Sequence, residues 1–279
     1  MKNICIFFVI VLITFSSCTT LNYYQVYKAQ PLDEVTKKGD ALVYEDDNVI
    51  ISYDLFEEGG NVGFKIQNRT NNDIYLHLDK SYFILNGFAN RYYQNRVFSN
   101  TSNKSTALSR SINFSRALTG INYLNLIQSN RISATSSTSV VSSSGYGVAY
   151  TEESIICIPK LTSKLIQEFS ISQGLYRDCD LLKYPSGKIQ NPKTFRESDS
   201  PLKFSNRIVY SIGETGDPIE FENKFFVSEI VNYNDKQMFT STNETYCEQK
   251  NPIISKIHKH YSPEKFYIKY LKGTDAMKH

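Results

Sequence analysis

Four histidines, five cysteines and the adjacent carboxylates at Asp46-Asp47, Glu57-Glu58 and Glu152-Glu153 are side chains of this 279-residue chain whose types invite chemistry. In "HKH" (His258, Lys259, His260) two imidazoles stand two residues apart, and in a strand such residues point to the same side. They would begin a metal site and not complete one, because zinc takes three or four ligands. Cys247 or Glu248 could join them only by folding back. His77 sits in a strand pattern on the side of Tyr75 and Asp79, where a solvent-facing or hydrogen-bonded imidazole is expected. His279 ends the chain. Asp46-Asp47, Glu57-Glu58 and Glu152-Glu153 are neighbours in sequence, so in a strand they face opposite sides and form no acid–base dyad by themselves. They read as turn and strand-edge charges that keep edges from pairing. A GxSxG elbow, a phosphate-binding loop, HExxH, an EF-hand loop and GxGxxG are all absent. No catalytic, cofactor-binding or metal residue follows from these patterns.

The firmest chemistry lies at Cys18. Lys2 precedes an apolar run from Ile4 to Phe15, too short for the roughly 20 residues that span a bilayer. A charged start, a short apolar middle and a small-residue exit describe a secretory signal. The exit, Phe15-Ser16-Ser17-Cys18, resembles the lipobox of bacterial lipoproteins. That resemblance implies cleavage before Cys18, diacylglycerol on its thiol and acylation of the new amine. Phe15 stands where Leu is usual, a change tolerated in the looser lipoboxes of Bacteroidota. Three acyl chains, at about 0.8 kcal/mol per buried methylene, anchor firmly where one would be marginal. Thr19 is not the aspartate that retains enterobacterial lipoproteins at the inner membrane, which implies the outer membrane. No acidic cluster follows the cysteine, which leans towards the periplasmic face over the cell surface.

The charge balance, 31 basic against 28 acidic side chains, excludes a polyanion binder on charge alone. No nucleic-acid partner is expected. With Cys5 and Cys18 set apart, Cys157, Cys179 and Cys247 remain. One disulfide among them is open in an oxidising envelope, with one thiol left over, and their spacing fits no zinc pattern. Cys157 falls inside the apolar run "SIICIP", which predicts a buried core residue.

The elements that must position these groups are strands. Twenty Tyr and 17 Phe favour them. In "NVIISYDLF", Val49, Ile51, Tyr53 and Leu55 share a face, as do Val62, Phe64 and Ile66 in "NVGFKI". "EEGGN" between them predicts a tight hairpin. "DIYLHLDKSYFILNG" turns Ile74, Leu76 and Leu78 inward, and further runs such as "NRIVYSIG", "KFFVSEIVNY" and "KFYIKYL" complete eight or so strands. This predicts an all-β fold, an antiparallel immunoglobulin-like β-sandwich. Residues 1–17 read as signal, 18–40 as a tether and 41–279 as the sandwich. A Ser/Thr-rich insertion interrupts it at about 99–150, where "SATSSTSVVSSS" is too polar to contribute core. The polar stretch from Asp235 to Asn251 reads as a loop.

The lipobox, "NVGFKIQNRTNNDIYLHLDKSYFILNG", "ANRYYQNRVFSNTS", and "ESDSPLKFSNRIVYS" followed by "FFVSEIVNY" resemble a group of Bacteroidota outer-membrane lipoproteins. The resemblance implies an immunoglobulin-type sandwich and transfers no catalytic residue. The expected role is that of a lipid-anchored envelope protein that binds or scaffolds an envelope protein or glycan partner. A glycan-binding module, or a glycan hydrolase using carboxylates from separate strands, is the rival reading. The single modified residue expected is Cys18, the partner through it is the membrane, and no cofactor is expected.

Overall fold

The computed structural model describes residues 21–32, 34–101, 147–187, 190–246 and 249–272. In chain order the strands begin with β1 (Asn22–Pro31), β2 (Thr36–Lys38), β3 (Ala41–Glu45), β4 (Val49–Tyr53), β5 (Phe64–Asn68) and β6 (Ile74–His77). There follow β7 (Tyr82–Leu85), β8 (Phe88–Arg91), β9 (Val97–Thr101), β10 (Gly147–Thr151), β11 (Ile155–Ile158) and β12 (Ser163–Ile166). The chain continues through β13 (Lys193–Thr194), β14 (Lys203–Ile212) and β15 (Ile219–Asn234) to a single-turn helix α1 (Asp235–Met238). It closes with β16 (Phe239–Tyr246), β17 (Gln249–His258) and β18 (Lys265–Leu271).

Two antiparallel sheets make the expected sandwich. One follows the order β11-β6-β14-β15-β1-β18, with the β7–β8 hairpin beside β6 on β14 and β13 on β15; the other runs β12-β5-β4-β3-β2. The alternation legible in β4 and β5 is real: Val49, Ile51, Tyr53, Phe64 and Ile66 are buried, and Ile51 pairs with Ile66. Leu76 and Leu78 join them in a core that draws on both sheets. Tyr53 meets Phe225 edge-on at 5.4 Å, and Asn223 Nδ2 donates to its hydroxyl at 2.7 Å. Its phenol is therefore buried without an orphaned polar atom, as such burial requires.

Three expectations are corrected. Residues 22–31 are no tether: β1 pairs with β15 on one edge and β18 on the other. Its residues Tyr23 to Tyr27 are buried on both faces, which erases the alternation that would reveal a strand. The stretch "EEGGN" makes no tight hairpin, because residues 54–63 fold back onto β18. Gly59 N donates to Tyr267 O at 2.8 Å, and a Cβ on Gly60 would lie 2.7 Å from Ile171 Cδ1 and 2.9 Å from Phe266 Cγ. The glycines serve that close approach and their positive φ angles of 84° and 77°. The polar stretch after Asn234 is structured too. Asn234 caps α1 by accepting from Gln237 N at 3.0 Å, and β16 pairs with β17 as a separate two-stranded ribbon. A ribbon that pairs only with itself needs no apolar face, so its polar sequence gives no strand signal.

Of the range 99–150 expected as an insertion, residues 99–101 and 147–150 lie in the paired strands β9 and β10. Residues 102–146, "SATSSTSVVSSS" included, and residues 1–20, with the expected signal and Cys18, lie outside the described residues. Among the described residues no helix is long and apolar enough to cross a membrane.

Candidate functional site

The feature best suited to binding lies on the outer face of the larger sheet, where β8, β7, β14 and β15 run side by side. The turn Asn86-Gly87, with φ of 47° and 84°, is the two-residue hairpin connection that positive φ at both positions allows. It sets Tyr82 opposite Arg91, and β14 sets Arg207 opposite Tyr82 on the other side. The register thus lines up Arg91, Tyr82 and Arg207 across three strands, with Glu222 of β15 next in the row. Two strand spacings put the two arginine backbones about 10 Å apart.

Arg91 Nη2 donates to Tyr82 Oη at 3.2 Å, and its guanidinium carbon lies 5.7 Å from the Tyr82 ring centre. Arg207 Nη2 donates to Glu220 Oε2 at 2.6 Å, and that hydrogen bond raises the Arg207 pKa further. Asp79 and Lys80 join Tyr82, Arg91, Arg207 and Glu220 around a groove of about 480 Å³. Asp79 Oδ1 and Arg207 Nε are buried atoms without a hydrogen-bond partner among the described residues. A flat aromatic ring flanked by guanidiniums, with carboxylates at the rim, can hold a polar ligand by stacking and by paired hydrogen bonds.

Among the described residues, one Ser–His contact, on the neighbouring strands β6 and β14, merits testing as a nucleophile pair. His77 Nε2 is 3.1 Å from Ser211 Oγ. Ser211 is 1% exposed and donates to Gly213 O at 3.2 Å, so its oxygen is shut away from substrate and its proton is engaged. A proton on His77 Nε2 then satisfies the contact, and Nδ1 has no partner among the described residues. Burial, followed by the Lys80 charge, lowers the His77 pKa and keeps the ring neutral. Ser81 Oγ donates to His77 O at 2.7 Å and accepts from Val209 N at 3.0 Å. The cluster is a polar brace that ties β6 to β14. His77 is thus the hydrogen-bonded histidine expected, though at 8% exposure it does not face solvent.

The "HKH" pair does not converge. β17 ends at His258, so the two rings leave the strand geometry that would align them. His258 lies edge-on to Phe56 at 5.0 Å and beside Phe239 and Tyr267. His260 stacks on Tyr233 at 4.1 Å with Nε2 3.2 Å from Gln237 O. Burial lowers both pKa values. Among the described residues no group of three His, Cys, Asp or Glu side chains could hold a metal ion; Cys247, Glu248 and His279 lie outside them.

The carboxylate pairs are structural where their partners are seen. Asp46 accepts from Asn48 N and Val49 N, both at 2.7 Å, and opens β4. Glu152 and Glu168 clamp Arg96, which lowers the Glu152 pKa despite its burial. Cys157 is exposed and not buried, because β11 is a sheet edge whose outward positions are Ile155 and Cys157. Cys179 is also exposed, and neither is in a disulfide. Leu175 to Asp178, with Leu181, Lys183 and Tyr270, bound a second cavity of about 280 Å³ near the other end of the sheet, where Gln25 Nε2 donates to Asn232 Oδ1 and to Tyr176 O, both at 3.0 Å. Those polar groups satisfy one another and hold the covering loop on β1. No family model, curated protein or solved structure matches this chain, so the features above carry its functional reading alone.

Proposed function

We propose that this is a lipid-anchored cell-envelope protein, held at the outer membrane with its sandwich on the periplasmic face, that binds an envelope component through the groove at Tyr82. The signal-like start and Ser16-Ser17-Cys18 support the anchor. The observation that carries the binding half is the Arg91–Tyr82–Arg207 row on an open sheet face. A solvated face needs no such alignment to fold, and two cations across a ring favour an approaching acceptor-rich ligand. Cys18→Ala should release the protein from membranes or stall it as a precursor, read by fractionation and intact mass. Tyr82→Ala with Arg91→Ala should abolish capture of the native partner from its own envelope while the melting temperature holds. Retained capture would remove the groove from the reading.

A glycan is the ligand class these side chains suit best, since a phenol ring stacks on a sugar face and Asp79 and Glu220 accept from its hydroxyls. The same two carboxylates, gathered from separate elements, are where a glycan hydrolase would place its acid and base. Asp79→Asn and Glu220→Gln separate the two: binding of a purified envelope glycan is weakened in the first case, whereas bond cleavage is abolished in the second.

A further inference from the structure

We infer that the Asn22 end of the sandwich rests on the membrane, with Leu21, Leu182, Tyr184, Lys183 and Lys272 meeting anionic phospholipid headgroups. The inference rests on the anchor at Cys18 proposed above and adds a docked face to it.

Chain length comes first. Three steps separate Cys18 from Leu21, and at 3.3–3.6 Å each they reach about 10 Å. Leu21 is already fixed, for its carbonyl accepts from Lys272 N at 3.2 Å and Asn22 begins β1. Because β1 is bonded to β15 and β18, it cannot swing out to lengthen the leash. An acylated Cys18 therefore holds this end of the sheet within a headgroup layer's depth of the bilayer.

The side chains at that end suit the place. Leu21 is 52% exposed and Leu182 43%. Tyr184 packs on Tyr23 at 5.1 Å between rings, with Lys183 Nζ 5.2 Å and Lys272 Nζ 5.8 Å from its own ring centre. Tyrosine and lysine are residues of the membrane–water interface, where the ring sits at headgroup level and the ammonium meets anionic lipid. Carboxylates near this rim have lysine partners: Asp235 pairs with Lys256, and Asp178 and Asp180 with Lys193.

The rim is also held in place. Asn232 Nδ2 donates to Leu182 O at 3.0 Å, Tyr270 Oη donates to Lys183 O, and Asn234 Nδ2 donates to Pro185 O at 3.4 Å. A loop fixed by three side chains of the main sheet presents its residues as a surface. Docking this end sends β15 outward from Asn234 to Ile219, about 50 Å at ~3.3 Å per residue. Tyr210 of β14 pairs with Ile219, so the Tyr82 groove stands at the far end.

The chain contains no tryptophan, so one introduced indole is a clean reporter. Leu182→Trp and, as a second site, Leu21→Trp would be compared with Phe88→Trp, which is 78% exposed near the other end of β1. The acylated full-length proteins are reconstituted into phosphatidylethanolamine–phosphatidylglycerol vesicles with brominated acyl chains. The expected result is blue-shifted, quenched emission from position 182 or 21 and unchanged emission from position 88. Lys183→Glu with Lys272→Glu should reverse much of that quenching. If the acylated protein sediments with vesicles but all three indoles stay equally unquenched, docking is overturned and the anchor stands. If the protein carries no acyl chain and stays in solution, anchor and docking fall together.

Discussion

The two ends of the larger sheet are built on opposite plans. Near Asn22 the sheet is covered on both faces: Tyr27 and Ala29 enter the main core, while Tyr24 and Val26 pack with Phe56, Val231, Tyr233 and Met238 beneath α1 and the start of the ribbon. At the β6–β7–β14 end one face is core and the other carries Ser205, Arg207 and Tyr82. A sheet buried on both faces spends its side chains on being held. A sheet with one bare face can present a row of groups whose spacing the backbone hydrogen bonds enforce, which is why Arg91, Tyr82 and Arg207 line up on strands, with Asp79 and Lys80 added from the turn before β7.

This contrast can be broken in graded steps. The largest effect belongs to the core both ends share: Phe64→Ala should cost about 3–5 kcal/mol in urea unfolding, with both ends melting together. Separate transitions by two probes would mean that the ends fold as independent units. A smaller effect is expected from acid at the doubly covered end. His258 and His260 have folded pKa values pushed below the ordinary value of about 6.5, so the unfolded chain binds more protons in that window. Stability is fully present above pH ~6.5 and falls as the pH drops through the depressed folded values. His258→Phe should flatten the melting temperature between neutral and mildly acidic pH, and an unchanged slope would clear this histidine. The smallest effect is at the bare face. Arg207→Ala should change stability by less than about 0.5 kcal/mol, because its pair with Glu220 is solvent-exposed. A loss of several kcal/mol would make the row part of the scaffold and remove its reason for being a binding surface.

How much of this is legible in the sequence follows from the same contrast. Strands with one dry face, such as β4, β5 and β6, declare themselves by alternation, and Val49, Ile51, Phe64, Ile66, Leu76 and Leu78 are all buried as that alternation predicts. β1 does not, because Tyr23, Tyr24, Gln25, Val26 and Tyr27 are all buried and no period of two survives. The pairing of β16 with β17 is hidden by a composition that reads as loop. Half of the groove was within reach: Asn86-Gly87 between "YFIL" and "FANR" is a hairpin signal, and counting outward from it places Tyr82 against Arg91. Arg207 joins only through the pairing of β14 with β7, a long-range contact that no local pattern encodes. Cys157 misleads for a related reason, since an apolar run reads as core until one knows that its strand has a neighbour on one side only.

The place of β1 between β15 and β18 also sets an order of events. A ribosome delivers β1 first and its neighbours β15 and β18 late, with Asn22 waiting for Leu271. At about 5–20 residues per second the first strand spends on the order of tens of seconds without either edge partner. Contacts of such sequence separation make closure late and slow. A sheet that cannot close until β18 arrives leaves one edge of β1 unpaired through most of synthesis, while the sequential β2–β5 pairs have their partners early.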